Sequence, residues 1–273
     1  MSFTPDRTSQ SSAERLPSPQ ARGGPDLLGL DTLEPAIGLD VVFIFLAGTV
    51  IGALVAVFVL PTLLPDLAQS LLGEQPKAYW YLSRSSGVVA YLLIWLSCVL
   101  GLTLTNRFAR LWAGGPAVAD VHQLASLIGL MLLVFHVTIL LGDRYASYRI
   151  DQLLIPFTAA QHAPFWVGLG QVAAYLVVPV TLSFYVRRTI GHRTWRLLHY
   201  ASFGVFWLSV AHGLGAGTDS SAPLMLAMYL VTSSSLVFLT AYRIVMAAGG
   251  RSRPTGAVRP GGRARPRASL PVS

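Results

Sequence analysis

Apolar residues in this chain gather in six long stretches that are separated by short polar segments. Each stretch is near the roughly 20 residues with which a helix, rising about 1.5 Å per residue, crosses about 30 Å of hydrocarbon. Backbone polar groups inside a bilayer must be satisfied within the protein, and a helix does this within one segment. We therefore predict an all-α membrane protein, a bundle of six transmembrane helices at Val41–Leu64, Ala78–Thr105, Val121–Leu141, Phe165–Val186, Trp195–Leu214 and Ala222–Ala248.

The composition and the flanking segments agree with this prediction. Hydrophobic residues make up 53% of the chain and charged residues 12%, which is not typical of a soluble protein of this size. Residues 1–38 are rich in Ser, Pro, Arg and acids, and they contain no apolar run long enough for a secretory signal. We predict a disordered cytoplasmic arm at 1–38, the six-helix domain at 39–248, and a basic, disordered cytoplasmic tail at 249–273.

The basic residues predict the orientation of the bundle. A formal net charge of +8 would suggest a nucleic-acid partner if the arginines were spread evenly, but they cluster at helix ends and in the tail. Short translocated loops are poor in Lys and Arg, and one side of the bundle has only Lys77, Arg144 and Arg149. The other side has 16 basic residues, so we expect both termini to be cytoplasmic in a multi-pass cell-membrane protein. Helices three and five then both run outward, and no nucleic acid is expected.

The external loop between helices three and four contains a short helical pattern. Ile150, Leu153, Leu154 and Phe157 recur at helical spacing, which predicts a short helix on the outer membrane interface. Pro156 falls within the pattern and is expected to shorten that helix.

Four of the six histidines fall inside predicted helices, where ionisable groups are rare because burying them in hydrocarbon is costly. They are His122 and His136 on helix three, and His199 and His212 on helix five. Separations of 14 and 13 residues place the two histidines of each helix about 20 Å apart along the membrane normal. Because the two helices run in the same direction, each helix offers one imidazole at an inner level and one at an outer level.

Two stacked bis-imidazole sites result, His122 with His199 and His136 with His212. Two axial nitrogens leave a porphyrin iron without an open position, which favours electron transfer over oxygen binding. Haem c would need a CxxCH motif, and the single cysteine, Cys98, excludes it. The expected cofactor is haem b, two per chain, between helices three and five. The alternative of another class is a transporter or proton-conducting bundle that uses these histidines as relays.

The spacing of the histidines puts them on one face of helix three but not of helix five. In an ideal helix, residues 14 apart point in nearly the same direction, whereas residues 13 apart point about 140° away from each other. Helix five therefore has to be distorted, use different imidazole rotamers, or hold its two haems at different azimuths. Gly129 lies midway between the histidines of helix three, where it either lets a porphyrin approach or serves ordinary helix packing.

Three arginines are placed to meet haem propionates near the membrane surfaces. Arg84 lies about as deep below the outer end of helix two as His136 does below the end of helix three. Arg193 and Arg196 precede His199 at the inner end, where they also serve the orientation rule. The alternative role for Arg84 is to snorkel toward the outer headgroups. We place His162 and His192 in loops.

These residues resemble the ferric-reductase-like transmembrane domain. Ferric-chelate reductases, NADPH oxidases, six-helix metalloreductases and the haem-binding membrane subunit of bacterial methionine sulfoxide reductase systems share that domain. The likeness covers most of residues 78–220 and is carried by LSRSSGVVAYLLIWLSCVLGLTLTNR, VHQLASLIGLMLLVFH, DRYASYRIDQLLIPF and WRLLHYASFGVFWLSVAHG. The resemblance implies that the four helical histidines are haem ligands and that Arg84 is associated with the outer haem.

Two departures from the family limit what the resemblance implies. NADPH oxidases have a further histidine one turn beyond the position of His136, where this chain has Leu140, and this disfavours superoxide production. Only a basic tail follows the last helix, without the flavin and nicotinamide domains of ferric reductases. We therefore expect a separate donor, a cytoplasmic flavin reductase or quinol, and a flavin at the cytoplasmic face stays open. Ferric chelates, a periplasmic methionine sulfoxide reductase and oxygen stay open as external acceptors.

Overall fold

The structure is a computed structural model that describes residues 34–63, 78–105, 115–143, 147–159 and 162–249. Apart from residues 34–38, the predicted N-terminal arm lies outside the described residues, and so does the predicted tail apart from Gly249. Many of the basic residues that predict the orientation also lie outside the described residues, among them Lys77, Arg107, Arg110 and Arg144.

Within the described residues, six helices are long and apolar enough to cross a membrane, so the prediction of a six-helix, multi-pass membrane protein is confirmed. We number these helices in chain order. They are α1 (Leu39–Leu63), α2 (Ala78–Thr105), α3 (Gly115–Ile139), α4 (Pro164–Ile190), α5 (His192–Ala216) and α6 (Pro223–Gly249).

The helix bounds differ from the predicted spans mainly at the polar ends. The span predicted at Ala78–Thr105 is identical to α2, whereas α4 and α5 extend beyond the apolar stretches. Hydropathy marks the part of a helix that suits hydrocarbon, and the backbone hydrogen bonds continue past it. His192, which the sequence placed in a loop, is therefore the first residue of α5.

Helix α1 contains one irregular turn. A π-helical segment, Val55–Val59, interrupts it, and the Tyr79 hydroxyl donates a hydrogen bond to the Ala56 carbonyl oxygen (2.7 Å). In a π turn the backbone carbonyls do not accept the usual α-helical hydrogen bonds, and the Tyr79 hydroxyl provides a donor for the Ala56 carbonyl.

The predicted loop helix is present and short. It runs over Ile150–Leu154 and ends before Pro156, as the sequence indicated. Phe157 has a φ of 68°, outside the helical range, so it does not continue the apolar face of the helix.

Two pairs of neighbouring helices make the most extensive contacts, α2 with α3 and α4 with α5. Helix α1 packs on α3, and α2 also contacts α5 and α6. The largest fully buried side chain is Phe206 on α5, which stacks on Tyr91 of α2 with ring centroids 5.8 Å apart. Leu102 and Leu236 complete this part of the core between α2, α5 and α6.

Polar side chains also join α2 to α6 inside the bundle. The Tyr91 hydroxyl forms a hydrogen bond with Thr232, and Nε1 of Trp95 donates to Oγ of Ser235 (2.9 Å). A polar group in hydrocarbon needs such a partner, so these bonds set how α6 meets α2.

We expect Trp95→Phe to destabilise the bundle by about 0.6–1.7 kcal/mol, because the variant keeps the ring but loses a hydrogen bond within the membrane. The measurement is the free energy of unfolding in detergent, with Ser235→Ala and the double variant completing a cycle. Strictly additive single-variant effects would show that the two side chains do not interact.

Candidate functional site

The four helical histidines meet in two pairs between α3 and α5. The ring centroids of His122 and His199 are 5.9 Å apart, and those of His136 and His212 are 6.3 Å apart. All four side chains are partly buried. The structure thus brings together the two pairs that the helix spacing predicted, and we call them the inner pair and the outer pair.

The distance within each pair suits two imidazoles that share one metal ion. An imidazole nitrogen binds a first-row metal such as zinc at about 2.0 Å. With C–N bonds of about 1.33 Å, a five-membered ring has a radius of about 1.1 Å. Two imidazoles on opposite sides of one ion would therefore have centroids about 6.2 Å apart. The observed 5.9 and 6.3 Å match this distance and exceed that of a direct hydrogen bond between the rings.

Three of the four imidazoles are held by a backbone carbonyl. Nδ1 of His122 donates to the Ser97 oxygen (2.8 Å), Nδ1 of His136 to the Ser83 oxygen (2.6 Å), and Nδ1 of His212 to the Trp166 oxygen (3.0 Å). A carbonyl oxygen can only accept, so the proton of each ring must lie on Nδ1. Each Nε2 is then an unprotonated nitrogen, which is the form that binds a metal.

Helix α2 provides two equivalent sockets for the histidines of α3. Ser83 and Gly87 lie beside His136, and Ser97 and Gly101 lie in the same way beside His122. In each socket the serine Oγ is also 3.0 Å from the imidazole Nδ1. The two Ser-x-x-x-Gly segments are 14 residues apart, the same distance that separates the two histidines on the antiparallel α3.

Helix α4 repeats this arrangement once, for His212. The Trp166 carbonyl accepts from the ring, and Gly170, four residues later, lies so close that an added Cβ would be 2.5 Å from Nδ1 of His212. A side chain at Gly170 would therefore displace the imidazole.

His199 differs from the other three histidines. Its Nδ1 is buried without a hydrogen-bond partner in the part of the chain that the structure describes. Its ring stacks instead on Trp195, with centroids 5.2 Å apart and an interplanar angle of 26°. Helix α5 is continuous from His192 to Ala216, so a break in the helix is not what brings both of its histidines to α3.

The outer pair opens into a cavity of about 270 Å³. This volume is near the lower end of the range of about 300–1,000 Å³ for ligand pockets. Most of the lining is apolar, and the polar groups include His136, His212, Arg84, Gln171 and Tyr148. The outer pair therefore lies beside open space, as a bound planar cofactor requires.

Arg84 lies in this cavity, at the level of the outer pair where the sequence placed it. Its Nη2 is 2.8 Å from Oδ2 of Asp219, in the connection between α5 and α6, and its guanidinium lies 5.9 Å from the ring centroid of Trp80. The Arg84 side chain is 21% exposed and that of Asp219 is 67% exposed. The arginine therefore contacts an exposed carboxylate in the connection between α5 and α6.

The cavity wall also contains a tyrosine from the external loop. Burial raises the pKa of Tyr148 above the usual value of 10.0, and the Asp143 carboxylate raises it further. The phenol therefore stays neutral at physiological pH and presents a hydrogen-bond group to the cavity.

The remaining predicted residues lie at the edges of the site. Arg193 and Arg196 are exposed near the inner end of α5, within seven residues of His199. His162 lies in a loop as predicted, just before α4, and its Nε2 is 2.9 Å from the Ala216 carbonyl oxygen. No group of three or more metal-binding side chains occurs in the described ranges, so zinc sites of that type are not found there.

Of the two roles that the sequence left open for Gly129, the structure favours helix packing. An added Cβ there would lie 3.3 Å from Leu93 Cβ and 3.8 Å from the Ala90 carbonyl oxygen, both on α2. Gly129 thus allows α2 and α3 to approach each other, which is the packing role that the sequence left open.

Sequence reasoning missed the sockets themselves. Ser83, Gly87, Ser97 and Gly101 carried a signal, because their spacing of 14 repeats the spacing of His122 and His136. Gly170 carried no comparable signal, because α4 provides such a socket for His212 alone and its sequence therefore shows no repeat at the spacing of the histidines.

Comparison of the chain with models of protein families, with curated proteins and with solved structures gives no match.

We expect Gly87→Ala and Gly101→Ala to differ although they are the same change in equivalent sockets. An added Cβ at Gly87 would lie 2.8 Å from Nδ1 of His136, whereas one at Gly101 would lie 3.5 Å from Cε1 of His122, an ordinary contact. Gly87→Ala should displace the His136 ring and cost about 1 kcal/mol through its lost hydrogen bond. Gly101→Ala should be neutral or slightly stabilising, because alanine favours a helix.

The measurement is the free energy of unfolding in detergent, together with the ¹⁵N spectrum of labelled histidine side chains. Equal effects of the two substitutions on the stability and on the spectrum would contradict the socket geometry.

Proposed function

We propose that this chain is a dihaem b-type transmembrane electron-transfer protein of the ferric-reductase-like kind, which passes electrons from a cytoplasmic donor to an external acceptor. The observation that carries the proposal is the presence of two imidazole pairs at the separation that a shared metal ion requires. Three of the four rings are also locked in the tautomer that leaves Nε2 free for a metal.

The residues of the chain fit two b-type haems. His122 and His199 would hold the inner haem, and His136 and His212 the outer haem. Arg84 lines the cavity of the outer pair, and Arg196 lies one turn from His199 at the inner end. When bound, each haem would supply a one-electron couple at its iron.

The chain itself would contribute ligation, spacing and exclusion of water. The carbonyl acceptors on α2 and α4 keep the imidazoles in place and increase their basicity as ligands. Helical rise separates the inner and outer levels by about 20 Å, so together they span most of the hydrocarbon. Buried apolar side chains between the levels, Phe206 above all, keep this region dry.

The rival function, a proton relay, is disfavoured by the same hydrogen bonds. A histidine relay must take up a proton at one ring nitrogen and release one from the other. At His122, His136 and His212 the Nδ1 proton is donated to a backbone carbonyl, which cannot pass it on.

The proposal includes an orientation and partners. The 16 basic residues on one side favour cytoplasmic termini in the cell membrane. A separate flavin reductase or quinol would then supply electrons on the inner side. A ferric chelate or a periplasmic reductase, such as one for methionine sulfoxide, would take them on the outer side.

We expect His136→Ala and His212→Ala each to remove the outer haem and to retain the inner one, because each deletes one of two axial ligands. The haem content per chain, measured by pyridine haemochrome, should fall from two to one, and reduction of an external ferric chelate should be lost. His162→Ala is the matched control, since it removes an imidazole beside the same cavity but outside the pair. Two unperturbed haems in the first two variants would count decisively against the proposal.

We expect Arg84→Gln to lower the midpoint potential of the outer haem, because loss of a nearby positive charge stabilises the oxidised iron. An effect on the order of 1 kcal/mol corresponds to about 40 mV. Asp219→Asn should leave this potential unchanged or raise it, because it removes the opposing charge. Redox titration of the outer haem distinguishes the two variants, and shifts of the same sign would argue against Arg84 acting on the outer site.

A further inference from the structure

Two neighbouring ring nitrogens of α5, Nε1 of Trp195 and Nδ1 of His199, are buried without a hydrogen-bond partner within the described part of the chain. The indole N–H is always a donor, and Nδ1 of His199 is a donor in the tautomer that leaves its Nε2 free to bind a metal. Buried donors are nearly always paired, because an unpaired one loses its bond to water and gains nothing in return. Two such donors in neighbouring, stacked rings indicate that an acceptor belongs beside them.

Helix α4 does not provide that acceptor, although it provides one for His212. His199 lies 13 residues before His212 on α5, and the residue 13 positions beyond Trp166 on the antiparallel α4 is Pro179. A proline within a helix removes one backbone hydrogen bond and bends the helix. The hydroxyl of Ser183, one turn further along α4, donates to the Val180 carbonyl of its own helix (2.7 Å).

The rings around the two donors form an aromatic surface. The Trp195 centroid lies 5.2 Å from that of His199 and 5.2 Å from that of His192, at interplanar angles of 26° and 44°. Three aromatic rings in succession offer a face on which another planar ring can stack.

This aromatic surface adjoins lipid-facing residues of the same helix. Leu197 and Tyr200, between and beyond the donors on α5, are 72% and 50% exposed, and Leu198 is 40% exposed. In a membrane helix such apolar side chains contact hydrocarbon, so a lipid-soluble molecule can reach this part of α5 from the bilayer.

We propose that Trp195 and His199 bind the ring carbonyl of a quinone-type molecule at the inner end of α5. This inference rests on the proposed function in one respect, because His199 would bind the iron through Nε2 while its Nδ1 donates to the quinone oxygen. The site assigns the membrane-soluble quinol/quinone couple, rather than a soluble flavin reductase, as the partner on the inner side, with the quinol as the electron donor and the quinone, whose carbonyl accepts these hydrogen bonds, as its oxidised product.

A neutral carbonyl fits this site better than a carboxylate does. Both nitrogens are buried and both N–H groups are uncharged, so an anion held only by them would be costly to bury. The two arginines on the same turns, Arg193 and Arg196, have exposed side chains and face the aqueous boundary.

The experiment uses the full chain in lipid nanodiscs, a photoreactive azido-quinone as the label and a decyl-substituted 1,4-benzoquinone as the competitor. We expect the label in residues 192–200, and we expect Trp195→Phe to weaken competition about 2- to 10-fold, because it loses one neutral hydrogen bond but keeps the ring. Trp207→Phe, the same change about three turns further along on the exposed side of α5, is the matched control and should leave competition unchanged.

Labelling elsewhere, or equal competition in the two tryptophan variants, would overturn the site. Competition by flavin mononucleotide that depends on Trp195, with none by the quinone, would overturn the choice of a quinone. The haem content of the same nanodiscs separates this inference from the proposed function. Two haems with labelling independent of Trp195 would refute the quinone site alone, whereas Trp195-dependent labelling of a chain that takes up no haem would refute the haem proposal alone.

Discussion

The arrangement of the bundle depends on one interaction, the hydrogen bond from a histidine Nδ1 to a backbone carbonyl of the neighbouring helix. Three of the four paired imidazoles make it, to Ser83, Ser97 and Trp166. A helical carbonyl already accepts one bond within its own helix, and its second lone pair can accept the imidazole only if the two backbones approach closely. Gly87 and Gly170 permit that approach, because an added Cβ there would lie only 2.8 and 2.5 Å from the imidazole Nδ1.

The close contacts of α2 with α3 and of α4 with α5 follow from this constraint. In each of these helix pairs, the histidines belong to one helix, α3 or α5, and the other helix, α2 or α4, provides carbonyl acceptors. The imidazoles of α3 and α5 meet where the two helix pairs face each other. Helix α6 joins this unit through hydrogen bonds from α2 to Thr232 and Ser235, and α1 packs on α3. The proposed cofactor sites therefore lie between two preformed hairpins, and positioning the ligands does not depend on the loops.

The inner and outer levels are not equivalent. Both outer histidines have a carbonyl partner, and their cavity contains Arg84 paired with Asp219. At the inner level His199 has no such partner among the residues that the structure describes, and it stacks on Trp195. The outer level thus combines fixed ligands with a charged mouth, whereas the inner level combines one fixed ligand with an aromatic surface next to lipid. This asymmetry suits a protein whose two ends meet different partners.

The sequence by itself determined the six helices, because the length and hydropathy of a segment are local properties that the bilayer converts directly into structure. It also determined the two histidine levels, because the number of intervening helices and the rise per residue suffice to place His122 with His199 and His136 with His212. Only the tertiary structure decided that Gly129 faces α2, that Arg84 pairs with Asp219, and that His199 lacks an acceptor. These features depend on the rotation and register of one helix against another, which arise from packing and hydrogen bonds over the whole bundle. The hydropathy of a segment does not predict that rotation or register.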